Sequence, residues 1–174
     1  MKSDIVYTVK ARALDSSGNY STIIDSITFT YDTDKPTVLI SSPTNNGYYS
    51  TVQLSTPIGG ISGDSGVNAT GVSTVTVAIR DIDGGSANLW FNGTSFVETG
   101  GAVTWLGVNG GTLSNWEYND TDLTFINNRR YEVRSRSQDN AGNWSVGTTS
   151  ITFIYDVVKP TTTIKLPHPV MQHH

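Results

Sequence analysis

The 174-residue chain contains no cysteine, which excludes disulfide frameworks and thiolate metal sites. Only 15% of its residues are charged and the net charge is −4, spread along the chain with no basic stripe. Nucleic acid is therefore not an expected partner. No apolar run reaches the ~18–20 residues that a membrane-spanning helix needs, so membrane insertion is not expected. The start, "MKSDIVYTVK", lacks the apolar centre of a signal peptide and begins in mid-pattern, as a segment of a longer protein would. Histidine is confined to the last seven residues (His168, His173, His174), which read as a disordered or added tail in preference to a metal site. With no histidine elsewhere, "SGDSG" (62–66) is not expected to be a serine nucleophile's loop. No convergent set of titratable groups points to an enzyme. Long helix-forming stretches are also missing.

What is abundant is strand and turn material. Thr, Ser, Val, Ile and aromatic residues recur, with 17 glycines and many Asn and Asp between them. The strongest signal is an internal repeat. Residues 7–40 align without a gap to residues 131–164 at a constant offset of 124, with 17 of 34 positions identical. A period of 124 residues is the length of a whole domain and far above that of a solenoid. The phase of the repeat predicts three parts: residues 1–35 as the closing hairpin of an incomplete preceding module, 36–160 as a complete module, and 161–174 as the start of the next repeat or a disordered tail.

Alternation predicts strands. Tyr131, Val133, Ser135 and Ser137 present an apolar or small face, with Glu132, Arg134 and Arg136 opposite; Ile151, Phe153 and Tyr155 alternate with Thr152 and Ile154. Further strands are expected at 37–41, 75–81, 102–108 and 115–118, and a hairpin at 88–98 with Asn92-Gly93 as a type I′ turn. Seven or more short strands in one domain predict an all-β fold, an antiparallel sandwich. Tyr131, two residues ahead of an inward Val133 and just after the polar "NNRR", stands at the tyrosine-corner position of immunoglobulin-type sandwiches. The hairpin in residues 1–35 is marginal alone. Its apolar face (Val9, Ile27, Phe29, Tyr31) is expected either to pack on the complete module or to pair with another chain in a hairpin-mediated homodimer.

The loops carry the candidate chemistry. "DNAGNW" (139–144) and its copy "DSSGNY" (15–20) admit two compatible readings. One is a turn in which Asp caps the loop and Gly takes positive φ. The other is a Ca²⁺ site, for which one Asp and one Asn fall short of the ~6–8 oxygens required, so that other groups must contribute. "DIDGG" (81–85) opens like a calcium loop but has Asn92 where the bidentate acid is needed, and reads as a turn after a strand. Of the four tryptophans, Trp105 and Trp116 are expected in the core or over loops. Alternation puts Trp90 on the face opposite Leu89 and Phe91, where it is a candidate ligand-binding platform for a glycan. Trp144, aligned with Tyr20, is expected beside a module junction. The five Asn-x-Ser/Thr triplets (Asn19, Asn68, Asn92, Asn119, Asn143) read as coincidences of composition.

The pattern Y-x-V-x-x-R-x-x-D-x-x-G-N, followed by a strand and Y-D-x-x-K-P, resembles the immunoglobulin-like repeats of large bacterial surface proteins and adhesins. Residues 7–36 and 131–160 carry this resemblance, while roughly 44–125 match less well. The resemblance implies an immunoglobulin-like, fibronectin type III-like module in a tandem array. It further implies an extracellular or cell-surface location and a non-enzymatic spacer or adhesive role, with neighbouring modules and a glycan or host-surface ligand as partners. Related adhesins bind Ca²⁺ at module junctions. The corresponding candidates here are Asp139, Asn143 and Asp156, with counterparts Asp15, Asn19 and Asp32, and Asp34 in the same linker. The rival expectation is a carbohydrate-binding accessory module of a secreted glycan-degrading enzyme.

Overall fold

A computed structural model describes residues 1–51, 57–85 and 89–165. The first residue of the expected 88–98 hairpin and the histidine tail lie outside the described residues. Among these there is no helix, and hence none long and apolar enough to cross a membrane. The chain is all-β. The strands are β1 Ile5–Ala11, β2 Asp25–Tyr31, β3 Thr37–Ser42, β4 Gly47–Tyr49, β5 Ile58–Gly63, β6 Val72–Asp81 and β7 Leu89–Phe91. They continue with β8 Phe96–Glu98, β9 Leu106–Gly107, β10 Gly110–Thr112, β11 Asn115–Tyr118, β12 Arg129–Asp139 and β13 Thr149–Tyr155.

Two sheets face each other in a sandwich-like arrangement. One is ordered β10-β11-β5-β3; the other is β4-β13-β12-β6-β7-β8, with β9 also pairing with β6. Pairing is antiparallel except for β4 beside β13. The core lies between them. Val38, Ile58, Trp116 and Tyr118 come from the smaller sheet, and Val75, Val77, Ile79, Phe91, Tyr131, Val133, Ile151 and Phe153 from the larger. The expected alternation holds: Tyr131, Val133, Ser135 and Ser137 are fully buried. The tyrosine corner is also formed, because the backbone N–H of Ile126 donates to the Tyr131 hydroxyl oxygen at 2.7 Å.

Where strands were not expected, packing explains them. β5 reads Ile-Gly-Gly-Ile-Ser-Gly, a poor strand by propensity. Gly60 lies opposite Trp116 in the ladder, and a methyl on it would fall 2.5 Å from Trp116 Cζ2 and closer still to the Leu39 carbonyl. The glycine is the space the indole occupies. Gly60→Ala is expected to destabilise the fold by about 1–3 kcal/mol, the usual cost of overpacking, seen as a lower urea midpoint; an unchanged midpoint would show that the indole has room to shift. The 88–98 hairpin differs in its turn. The bend centres on Gly93-Thr94, with positive φ at Gly93 only, and not on a type I′ Asn92-Gly93 pair. Asn92 instead uses its side-chain oxygen to accept the N–H groups of Thr94 and Ser95, a local bond that asparagine offers in place of a left-handed backbone. The 102–108 strand shortens to β9, which pairs with Val77 and Thr76 of β6.

The outer face of β6–β12 is held by charge. Glu132 accepts from Arg134 (2.9 Å) and from the Ser150 hydroxyl (2.7 Å) and pairs with Arg80 at 3.0 Å. Burial alone would raise its carboxyl; the bonds from Arg134 and Ser150 outweigh burial and hold it below the ordinary glutamate value. A carboxyl lowered by folding stabilises the native state above the unfolded-state value. That contribution is lost as pH falls through the native one. Glu132→Gln should therefore lower stability at pH 7 and flatten its decline between about pH 5 and pH 3, measured as urea midpoints against pH. An acid limb identical to that of the wild type would refute this role.

Candidate functional site

The site is assembled where the β12–β13 turn meets the segment joining β2 to β3. Asp139 ends β12 and is 2% exposed. Its Oδ1 accepts the Asn143 backbone N–H and its Oδ2 the Asn143 side-chain amide, both at 2.8 Å. Gly142 sits at φ 94°, in the left-handed region, which lets the chain turn back on so few residues. The turn reading of this loop is thus realised. The same amide of Asn143 also donates to the backbone carbonyl of Asp32 at 3.1 Å, tying the tip to the stretch that leaves β2.

Asp32 is 6% exposed. One carboxylate oxygen accepts the Thr70 N–H and hydroxyl (3.0 and 2.8 Å), and the other accepts the Asp34 N–H at 3.0 Å. Burial opposes ionisation, but these bonds outweigh it and hold the carboxyl below the ordinary aspartate value. The β5–β6 loop completes the site. Asp64 accepts from the backbones of Ser65 and Gly71, and Asn140 donates to the carbonyls of Thr70 and Gly71, pinning this loop to the tip. From the start of the chain, Asp4 accepts the Val67 N–H at 3.1 Å through Oδ2, while its Oδ1 is buried without a hydrogen-bond partner.

The outcome is a concentration of negative charge. Carboxylate oxygens of Asp32, Asp64 and Asp139 all lie within 4.8 Å of one another, and so do those of Asp4, Asp32 and Asp34. Asp32 is shared. Among the described residues, no Lys or Arg forms an ion pair with Asp4, Asp32, Asp34, Asp64 or Asp139; the ion pairs found there engage Asp81, Asp83 and Glu132. Carboxylates this close repel one another, and where they are buried, as Asp32 and Asp139 are, such groups are ordinarily neutralised by protons, by paired bases or by a metal. Hard oxygen donors at this spacing suit a hard divalent cation.

Of the sequence candidates, Asp32, Asp34, Asp139 and Asn143 converge here. Asp15, Asn19 and Asp156 do not. Asp15 and Asn19 repeat the Asp139–Asn143 bonds, at 2.8 Å to the backbone and 3.0 Å to the side chain, but on the exposed tip of β1–β2. Asn19 is the main cause that lowers the Asp15 carboxyl. Asp156 follows β13 at the end of the hairpin opposite the turn, on the order of 30 Å of strand away. There its N–H donates to Tyr49 and its carboxylate caps Val158. Its offset of 124 makes it the equivalent of Asp32. Two members of the cluster, Asp64 and Asp4, were not among the candidates. Asp64 lay inside "SGDSG", and only Asp4's repeat partner gives a hint: Asp4 and Asn128 share a left-handed φ, 61° and 60°.

The remaining candidates are engaged elsewhere. Asp81 and Asp83 of "DIDGG" are held by Arg129 and Arg130, both at 2.6 Å, so the reading as a turn after a strand fits and the calcium-loop reading does not. Trp90 lies on the outer face, as alternation requires, yet is only 2% exposed. The Arg80 and Arg134 guanidinium groups cover its ring at 5.6 and 4.9 Å. The expectation of an open platform is corrected: the arginines, brought over the ring by their bonds to Glu132, take the place a sugar would occupy. Trp116 is in the core, and Trp105 and Trp144 flank the Arg136 guanidinium at 4.2 and 4.3 Å.

A scan against models of known protein families finds no match, and a search of curated proteins finds no similar sequence.

Proposed function

We propose that the chain is a non-enzymatic, immunoglobulin-like module from a tandem array on a bacterial surface protein. It serves as an extracellular spacer or adhesive unit whose junctions are stiffened by Ca²⁺. The observation that carries this reading is the position of the acidic cluster. It is built from the segment that precedes the sandwich (Asp4, Asp32, Asp34) and from the sandwich itself (Asp64, just after β5, and Asp139 at the end of β12). A cation held there bridges two consecutive structural units, which is what a stiff rod of modules requires. The repeat supports the same reading: Asp156 stands at the far end of the sandwich in the position of Asp32, ready to serve the next junction. The tyrosine corner at Tyr131 and the two facing sheets are compatible with immunoglobulin-like topology.

In this role the residues hold and orient, and none performs chemistry. Asn143 and Thr70 fix the carboxylates of Asp139 and Asp32 through hydrogen bonds, leaving their remaining lone pairs for a cation. Ca²⁺ would supply only charge neutralisation and cross-linking. Scanning calorimetry in calcium and in EDTA tests the proposal: a melting transition raised by calcium is expected, and identical transitions would remove calcium from it.

A further inference from the structure

The hairpins β1–β2 and β12–β13 are one structure built twice. Their registers coincide at the offset of 124: Tyr7↔Phe29 matches Tyr131↔Phe153, and Val9↔Ile27 matches Val133↔Ile151. The corner recurs, since the Lys2 N–H donates to the Tyr7 hydroxyl at 2.8 Å. So does the tip, down to Arg12 over Tyr20 as Arg136 lies over Trp144.

What differs is the cover. Val133 and Ile151 are 0% and 8% exposed, whereas Val9 and Ile27 are 52% and 64% exposed. β12 is hydrogen-bonded to β6 along its other edge, and its inner face lies under the smaller sheet. β1 and β2 form a sheet of two, with no further neighbour among the described strands. The first hairpin therefore shows a core face and an open strand edge, and the second shows what closes both.

Three covers can be compared. The chain's own sandwich is not available, because β12–β13 already fills it. Two first hairpins face to face would bury too little. A seven-residue ribbon is about 23 Å long and about 10 Å wide, so each copy would contribute a face of only about 230 Å², against the roughly 800 Å² per partner of a stable complex. Simple exchange of hairpins between intact copies gains nothing, because each chain brings two hairpins and one framework. The cover that fits is a framework without its own closing hairpin.

We propose that β1–β2 is a donor hairpin whose partner is a β-sandwich framework of the kind β3–β11 form, with a β6-like strand along the β1 edge, supplied by another polypeptide segment. The equivalent register places Val9 opposite the position of Ile79 and Tyr7 opposite that of Asp81, as Val133 and Tyr131 are now. The proposal rests on the tandem-module reading for its partner and is independent of any cation.

The test uses the full chain. Val133→Pro with Ile151→Pro disables the second hairpin by removing backbone donors and clashing with the ladder, leaving one competent hairpin for each framework. Light scattering and near-ultraviolet circular dichroism, both in EDTA, should show a folded dimer whose molar mass is twice that of the wild type, with each first hairpin in the other copy's framework. Adding Val9→Asp and Ile27→Asp should abolish both the dimer and the fold, while the same two changes in the otherwise wild-type chain leave its melting transition unmoved. A monomeric proline variant, folded or unfolded, would overturn the proposal, as would a dimer that survives the aspartates. Because calcium is absent throughout, failure here is distinct from failure of the calcium junction.

Discussion

Saturating calcium is expected to raise the melting temperature by roughly 5–10 °C, and EDTA to return it. A ligand at 100 times its dissociation constant stabilises the state it binds by about 2.7 kcal/mol. For a chain of this size each kcal/mol moves the transition by about 2–4 °C. The effect has its source in the crowding of Asp32, Asp64 and Asp139, two of them almost fully buried. A cation held between them would be attracted by all three carboxylates and would screen them from one another. The substitution Asp64→Asn separates these terms, at the loss of one hydrogen bond: Oδ1 accepts the Ser65 N–H and Oδ2 the Gly71 N–H, and the single amide oxygen can keep only one of the two. In EDTA the loss of one like charge and the loss of one backbone hydrogen bond act in opposite directions, so the melt should move little. In calcium it should remove most of the rise. Asp15→Asn is the internal control: it alters the same Asp-x-x-Gly-Asn motif, where no acidic group of three gathers among the described residues, and should not change the calcium response. If Asp15→Asn and Asp64→Asn respond alike, the cluster is not the binding site and the junction model fails.

That contrast also shows what the sequence can and cannot disclose. Period-two alternation made β12 and β13 legible, because each strand has one buried face and the pattern is local. The repeat made the shared tip legible, and with it the roles of Asp139 and Asn143. β5 was hidden because its glycines answer to Trp116, a residue far along the chain whose bulk no local pattern announces. Asp64 was hidden for the same reason: its loop becomes part of a site only when Asn140 pins it to the β12–β13 turn. Trp90 shows the limit from the other side. Alternation placed it on the correct face, but the arginines that cover it are held there by Glu132, through contacts across strands. Local pattern gives orientation; accessibility depends on what the fold brings over the residue.

The same distinction predicts the largest difference between two chemically identical changes. Phe153→Ala should cost about 3–5 kcal/mol, the usual loss for a buried aromatic, lowering the melting temperature by roughly 6–20 °C. Phe29→Ala, at the equivalent position, should cost less than about 0.5 kcal/mol. Phe153 is 1% exposed and its ring lies within 5.4–5.8 Å of the rings of Phe125, Tyr131 and Tyr49. Phe29 is 37% exposed, and its ring neighbour among the described residues is Tyr7, at 5.7 Å. Strand, cross-strand partner and neighbouring sequence are matched, so the difference isolates the energy of being covered by a second sheet. Should Phe153→Ala not fold, Phe153→Leu gives the same comparison at a smaller scale. Equal losses at the two positions would mean that the first hairpin is already covered in solution by another copy, and its apolar face would then be an interface in use and not an open one. A small loss at Phe29 keeps the face free for a framework that lacks a closing hairpin, the condition under which a donor hairpin can act.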